Sequence, residues 1–390
     1  MSSTPPAGRL ARLALLIAVA AGSAQAQETS IAFTALPVLE IPAVPELGGA
    51  TVGRPADDAR AFLQNPAALG LAPTGVRVVG SPNATWFGES QFGTTAAAWS
   101  RAVGPVSAAV GLAQGAMSAD ARTLADGTAF DPTDRYRALG GSVGTTGAVR
   151  VAAGATVRYI TSTDAPVSDG ARFTVGRLRG VTADVGVLAA ADLARLAGRP
   201  RVGAFAPALD VSVGYAQTHV GGRIRYSGFG QQALPRTGAL GWSVRAGLDV
   251  YVAGRTLRLV EAEGAFQAER RLVGRTGADY AALTGGASLA DALSGTGGDV
   301  TTGRRGVGLT LAETVSLSWG RTDGGGYRDV ATRSVQIRTG ALVSAVASHL
   351  GADRLAGALT RTDLRIGRTV VFAGTPDAAA RTTLSLVVRR

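Results

Sequence analysis

Leu240-Gly241-Trp242-Ser243-Val244-Arg245-Ala246-Gly247-Leu248-Asp249-Val250-Tyr251-Val252 alternates without a break. Its even positions, Leu240, Trp242, Val244, Ala246, Leu248, Val250 and Val252, are all apolar. Apart from Tyr251, its odd positions are glycine, serine, arginine or aspartate. A strand sends successive side chains to opposite faces, so this stretch is a strand with one wholly apolar face. The next stretch divides the same way, with Val260, Ala262, Phe266 and Ala268 against Glu261, Glu263, Gln267 and Glu269. Val149–Tyr159 repeats it, and so does Val307–Trp319, where only Glu313 breaks the pattern. Similar alternation near 76–87, 93–103, 105–116, 135–144, 179–191, 208–219, 333–347, 363–373 and 381–389 brings the candidates to about thirteen.

Length then decides between a soluble and a membrane sheet. Strands of soluble proteins typically run about 5–6 residues, whereas a tilted strand crossing a bilayer needs about 9–11. A run of apolar faces this long needs a second sheet to cover it in water, but can meet lipid directly in a closed barrel. Single-chain bacterial barrels favour even strand numbers. The expected fold is therefore an all-β, transmembrane antiparallel barrel of about fourteen strands, with one strand not separated by the pattern.

The chain start agrees. Arg9 and Arg12 precede the apolar run Leu13–Ala21 and then Ala24-Gln25-Ala26. That is the order of a secretory signal peptide, too short to span a bilayer as a helix. It divides the chain into a signal peptide over 1–26, an N-terminal plug segment over 27–75 and a barrel over 76–390, bound by Sec-type export for a Gram-negative outer membrane. Gly340–Leu359 comes nearest to a later helical span, and His349, Asp353 and Arg354 interrupt it.

Composition removes several kinds of chemistry. There is no cysteine and no lysine, so thiolate metal sites, thiol nucleophiles and lysine-based phosphate or Schiff-base sites are excluded. All 39 basic residues are arginine, which gives a net charge of +11. They are scattered rather than clustered on one face, so nucleic acid is not an expected partner. Contact with phosphates of outer-membrane lipid is the expected use of the surplus. The two histidines, His219 and His349, form no metal motif, and His219 lies seven residues from Ser212, on the opposite face of a strand. Both are expected at an interface or in a loop. No enzyme activity, catalytic residue, metal or cofactor is expected.

Two groups of residues remain. Gln27–Pro73 holds Pro37, Pro42, Pro45 and Pro55 and then Asp57-Asp58, followed by Asn65-Pro66. Asp57 can cap a short helix that Pro66 limits, and the segment suits a plug in the barrel mouth. Arg245 and Asp249 face Glu261, Glu263 and Glu269 on the neighbouring strand's polar side. These form a lumen charge cluster, either salt bridges that hold the wall or a charged constriction. Tight turns at 103–105, 144–147 and 253–255 are expected in the periplasm. The long stretches 117–134, 163–176, 220–237, 273–305 and 321–332 are expected outside.

Asp57-Asp58-Ala59 with Asn65-Pro66-Ala67-Ala68-Leu69-Gly70 resembles the N-terminal signature of PorV/PorQ-like outer-membrane proteins, relatives of the FadL fatty-acid transporters. Ala183-Asp184-Val185-Gly186-Val187-Leu188, Arg223-Ile224-Arg225-Tyr226 with Leu234-Pro235-Arg236-Thr237, and Gly326-Tyr327-Arg328-Asp329 follow in that family's order. The resemblance implies a fourteen-stranded FadL-type barrel with an N-terminal plug. It implies first an accessory role in type IX-like protein secretion, with secreted proteins or secretion components as partners and Val273–Arg305 as the binding surface. The alternative is a FadL-like transporter of hydrophobic small molecules such as long-chain fatty acids, and a third reading is a structural barrel.

Overall fold

The computed structural model describes residues 46–389 except 87–89, 120–121, 124–126, 128, 131, 169–172, 199, 222–223, 226–230, 233, 235, 253–254, 273–285, 298–300, 325–326, 341–360 and 372–378. The signal peptide, the first part of the plug segment, Gly326 and His349 lie outside these residues. So does most of Gly340–Leu359.

Fourteen antiparallel strands close into one barrel. In chain order they are β1 (Gly75–Trp86), β2 (Ser90–Val103), β3 (Val106–Ala119), β6 (Thr133–Thr145), β7 (Val149–Ser168), β8 (Phe173–Asp192), β9 (Phe205–Val220), β12 (Thr237–Val252), β13 (Arg255–Arg271), β14 (Thr301–Leu311), β15 (Val315–Gly324), β16 (Tyr327–Arg338), β17 (Thr362–Val371) and β18 (Ala379–Arg389). The pairs β4 (Arg122–Thr123) with β5 (Ala129–Phe130), and β10 (Ile224–Arg225) with β11 (Gln231–Gln232), are small ribbons beyond the wall. Closure pairs β1 with β18. An even count leaves the start of β1 and the end of β18 at the same end of the barrel, called here the terminal end. The tight turns 104–105 and 146–148 lie at that end, and so does the Val252–Arg255 pair that ends β12 and starts β13. Leu193–Leu196 follows β8 there, and β16 ends and β17 begins there.

The fourteenth strand was hidden inside Val307–Trp319. That stretch is a hairpin, β14 and β15, turning at Ala312-Glu313-Thr314 with Leu311 opposite Val315. Ala312 and Glu313 both take left-handed backbone angles, φ 48° and 54°. A three-residue turn keeps Leu311 and Val315 four positions apart. The apolar alternation therefore runs on in register while the chain reverses, and periodicity alone cannot show the corner. The candidate 333–347 likewise ends as a strand at Arg338, and 321–332, expected as an outer loop, is mostly the ends of β15 and β16.

The apolar faces point outward. Leu112, Leu139, Val157, Val181, Val213, Val307 and Ile366 are all exposed on the outer wall. So large a continuous apolar surface has no place in water and fits lipid. No described helix is long and apolar enough to cross a membrane.

The outer wall has two irregular features. The helix Gly286–Ser294, in the connection expected outside as a binding surface, lies against β12–β14. Trp242 Nε1 donates to Leu293 O at 3.1 Å, and Trp242 stacks on Phe266 with ring centroids 4.5 Å apart. Just beyond it, Gly297 N donates to Asp323 Oδ1 at 2.6 Å, strapping the connection onto the wall. The second feature is a run of outward arginines on β14–β17. A lipid-facing arginine costs about 2–4 kcal/mol at the bilayer midplane and about 0–1 near an interface, so their height on the wall matters.

Candidate functional site

The site is the seam between the N-terminal segment and the inner wall. Residues 46–73 cross the lumen as three 3-10 turns, Glu46–Gly49, Ala59–Leu63 and Pro66–Leu71, rather than as one α-helix. Asp58, not Asp57, caps the second turn, accepting from Arg60 N at 2.7 Å. Asn65 caps the third, accepting from Ala67 N at 3.0 Å, and Pro66 opens that turn rather than closing the previous one. Proline fits there because the first helical N–H needs no partner.

The two sides of this segment meet different walls. Its apolar side, with Ala59, Ala61, Phe62, Leu63, Leu69 and Leu71, packs on Phe92, Ala96, Ala113, Tyr136, Ala138, Ile160 and Leu188 from β2, β3, β6, β7 and β8. Phe62 and Asn65 are wholly buried. The inner wall makes room by omitting side chains. A Cβ on Gly140 would stand 2.6 Å from the Phe62 ring, and one on Gly186 would stand 2.0 Å from Asn65 Oδ1. Part of the chain's glycine surplus is therefore a groove cut for this segment.

Backbone groups in the segment find partners on the wall, as burial requires. Gln267 Oε1 accepts from Thr51 N and Val52 N, each at 3.1 Å. Ser212 Oγ donates to Gly53 O at 2.6 Å, and Asn65 Nδ2 donates to Val52 O at 2.6 Å and to Val187 O at 3.2 Å.

The opposite side is charged. Arg54 grips Glu263 with Nε to Oε1 at 2.6 Å and Nη2 to Oε2 at 2.9 Å, and its Nη2 also reaches Asp57 Oδ2 at 2.9 Å. Arg245 lies 3.2 Å from Glu263, 3.5 Å from Glu261 and 3.6 Å from Asp57. Arg258 bridges Asp249 and Glu261. Four of the five expected lumen charges, Arg245, Asp249, Glu261 and Glu263, thus join one network, and Asp57 of the segment joins with them. Glu269 stands apart toward the far end, paired with Arg304 at 3.0 Å. The network links β12 to β13 through Arg245 and Arg258, and it also ties the segment to the wall through Arg54 and Asp57, which the sequence did not suggest. Arg54 and Arg258 carried no signal because neither lies in the alternating stretches that marked the cluster.

A second ionic contact was also not foreseen. Arg158 and Asp184, both buried on the inner wall, pair through Nε and Oδ2 at 2.7 Å. Arg158 Nη2 donates onward to Leu63 O in the segment, and Asp184 Oδ1 accepts from His219 N at 2.9 Å. His219, expected at an interface or in a loop, is buried in a bulge of β9 with φ 55°. Alternation marked Arg158 as inward-facing, but could not choose its partner.

Burial by itself would raise the Asp57 carboxyl. Arg245, Arg54, Arg338 and Arg365 together outweigh it and hold the group far below the ordinary carboxylate range. Asp58 is also lowered, because Arg60 outweighs its burial. A folded-state value below the unfolded one contributes stability that is present above about pH 4 and lost as pH falls toward the folded value. Acidification from pH 7 to below 4 is therefore expected to loosen the segment. Protease cleavage near Arg54 in detergent-solubilised barrel should rise with acid, and Asp57→Asn should flatten that dependence. An Asp57→Asn profile as steep as the wild type's would refute the assignment.

No group of three or more metal-ligating side chains occurs among the described residues. The arrangement holds the segment in the lumen by an apolar seam, by the ion pairs of Arg54 and Asp57 with the wall, and by several hydrogen bonds.

No known family model matches the chain, and neither does any curated protein. Among solved structures, it is similar to the toluene transporter TbuX of Ralstonia pickettii at 11% identity and TM-score 0.45, covering 89% of this chain and 97% of that one. The toluene transporter TodX of Pseudomonas putida gives 10% identity and TM-score 0.38, covering 94% and 98%. A Pseudomonas aeruginosa FadL homologue gives 9% and 0.38 over the same shares.

Proposed function

We propose that the chain is a plugged barrel of a Gram-negative outer membrane that passes hydrophobic small molecules when its N-terminal segment shifts. The apolar inner wall carries this reading. Aqueous pores keep a polar lumen. Here Phe92, Ala96, Tyr136, Ile160 and Leu188 form an apolar surface inside the barrel, covered by Phe62, Leu63 and Leu69. Movement of the segment uncovers that surface to a cargo, while the charged side on β12 and β13 supplies contacts that break and re-form. In this orientation the terminal end, with most of the tight turns, faces the periplasm. Hydrophobic compounds are also the cargo class named for the toluene transporters, and we prefer this role to the secretion-accessory one.

The test is deletion of the gene, followed by uptake of labelled toluene and of a long-chain fatty acid. Uptake of at least one should fall, and return with the wild-type gene. Unchanged uptake of both, with loss of exported proteins that carry a type IX signal, would replace this reading with the secretion role.

A further inference from the structure

The arginine run on β14–β17 has a geometry of its own. Arg305, Arg321, Arg333 and Arg368 share the outward face with Val307, Trp319, Val335 and Ile366. Arg305 is cross-strand partner to Arg321, Trp319 to Arg333, and Val335 to Arg368. Arg305 stands six residues from Leu311, Arg321 six from Val315, Arg333 five from Arg338 and Arg368 six from Thr362, the terminal ends of their strands. Barrel strands tilt and stagger in one direction, so these four positions form a level row.

The row cuts the apolar belt short. On β14 only Leu311, Leu309 and Val307 lie between it and the terminal end, whereas β7 carries Val149, Val151, Ala153, Ala155, Val157 and Tyr159 on its outer face. Arg305 pairs with Asp323 at 3.3 Å. Among the described residues no acid pairs with Arg333 or Arg368, and both are exposed. They are diagonal neighbours, which places their Cβ atoms about 7–8 Å apart, within reach of a shared anion. Beside them is a groove of about 580 Å³ lined by Trp319, Val335, Ile337, Ile366 and Val370. Ile337 and Ile366 lie on its terminal-end side, deeper in the apolar belt.

We propose that this groove binds a lipid with a phosphorylated headgroup, the phosphate held between Arg333 and Arg368 and an acyl chain running past Val335 toward Ile337 and Ile366. Charge complementarity fixes the occupant. Two unpaired guanidiniums at the head of an apolar groove on a lipid-facing wall call for an anion attached to an alkyl chain. A phosphate drawn to this row also removes the cost of exposing these charges to hydrocarbon. The proposal rests on the barrel lying in a membrane, and on the orientation given above it addresses the outer leaflet.

Native mass spectrometry of the detergent-purified full chain tests it, using dioleoyl phosphatidic acid, dioleoylglycerol and inorganic phosphate as separate probes. Wild type should retain phosphatidic acid over dioleoylglycerol. The double variant Arg333→Gln/Arg368→Gln should bind it about tenfold or more weakly, given the usual strength of charge-assisted hydrogen bonds. Arg333→Lys/Arg368→Lys should keep most of the affinity, and Arg101→Gln, outward at the terminal end, all of it. Heat-modifiable gel mobility confirms that each variant is folded. Equal retention of the two lipids by wild type, or undiminished binding by the folded Gln pair, overturns the proposal. Complete displacement by millimolar inorganic phosphate also overturns it, leaving an anion site only. Membrane fractionation of the cells reads the outer-membrane placement separately, so the two failures stay distinct.

Discussion

Gly186→Val is expected to expel the Asn65-Pro66 turn from the inner wall and leave the barrel unplugged. The added Cβ would stand 2.0 Å from Asn65 Oδ1 and 3.1 Å from Pro66 Cδ. Asn65 cannot retreat freely, because it also caps the next turn and holds Val52 O and Val187 O. Overpacking of this kind costs about 1–3 kcal/mol, and at the upper end that is roughly a hundredfold change in the docked fraction. The strain falls on the segment, since the barrel ladder is held by its own backbone bonds. Liposome swelling with a small sugar should therefore rise while heat-modifiable mobility stays that of a folded barrel. Gly141→Val is the control, because nothing lies within 4 Å of a Cβ on that outward-facing glycine. Equal swelling by wild type and Gly186→Val would sink the closure reading.

Asp184→Ala is expected to give the largest stability loss of any single truncation in the seam. It removes the carboxylate that pairs with Arg158, which is 1% exposed, and that accepts from His219 N at the β9 bulge. Removing one partner of a buried ion pair typically costs about 3–5 kcal/mol, because the remaining charge has nowhere to go. Arg158 also holds Leu63 O, so the loss should reach the segment as well as the wall. The urea midpoint of the refolded barrel should drop, and protease protection of the segment should drop with it. Replacing both members, Arg158→Met with Asp184→Leu, should recover much of the midpoint, since no charge is then left unpaired. A midpoint for Asp184→Ala within error of wild type would show that the pair is solvated and structurally idle.

The charge cluster shows how far sequence reaches into the site. Arg245, Asp249, Glu261 and Glu263 could be assigned to one face because alternation within a strand is a local property. Their partners Arg54 and Asp57 come from about 200 positions away, and no periodicity links a crossing segment to the wall beside it. Asn65-Pro66 was conspicuous as a motif for a similar reason. Its capping geometry is local, but the glycines that receive it at 186, 214 and 154 sit on three different strands. Glu269 shared the cluster's inward face, yet barrel register carried it to Arg304 instead.

By itself the sequence determined the wall: strands long enough for a bilayer, with an apolar outer face. These follow from the two-residue period of an extended chain and from the cost of unpaired backbone in lipid. Tertiary structure alone placed the fourteenth strand, at the Ala312–Thr314 corner, where an odd-length turn leaves the alternation unbroken. It alone decided that residues 46–73 lie between an apolar and a charged wall, and that four distant arginines form one row outside. Each of these depends on shear and closure, which bring together residues whose separation along the chain is arbitrary.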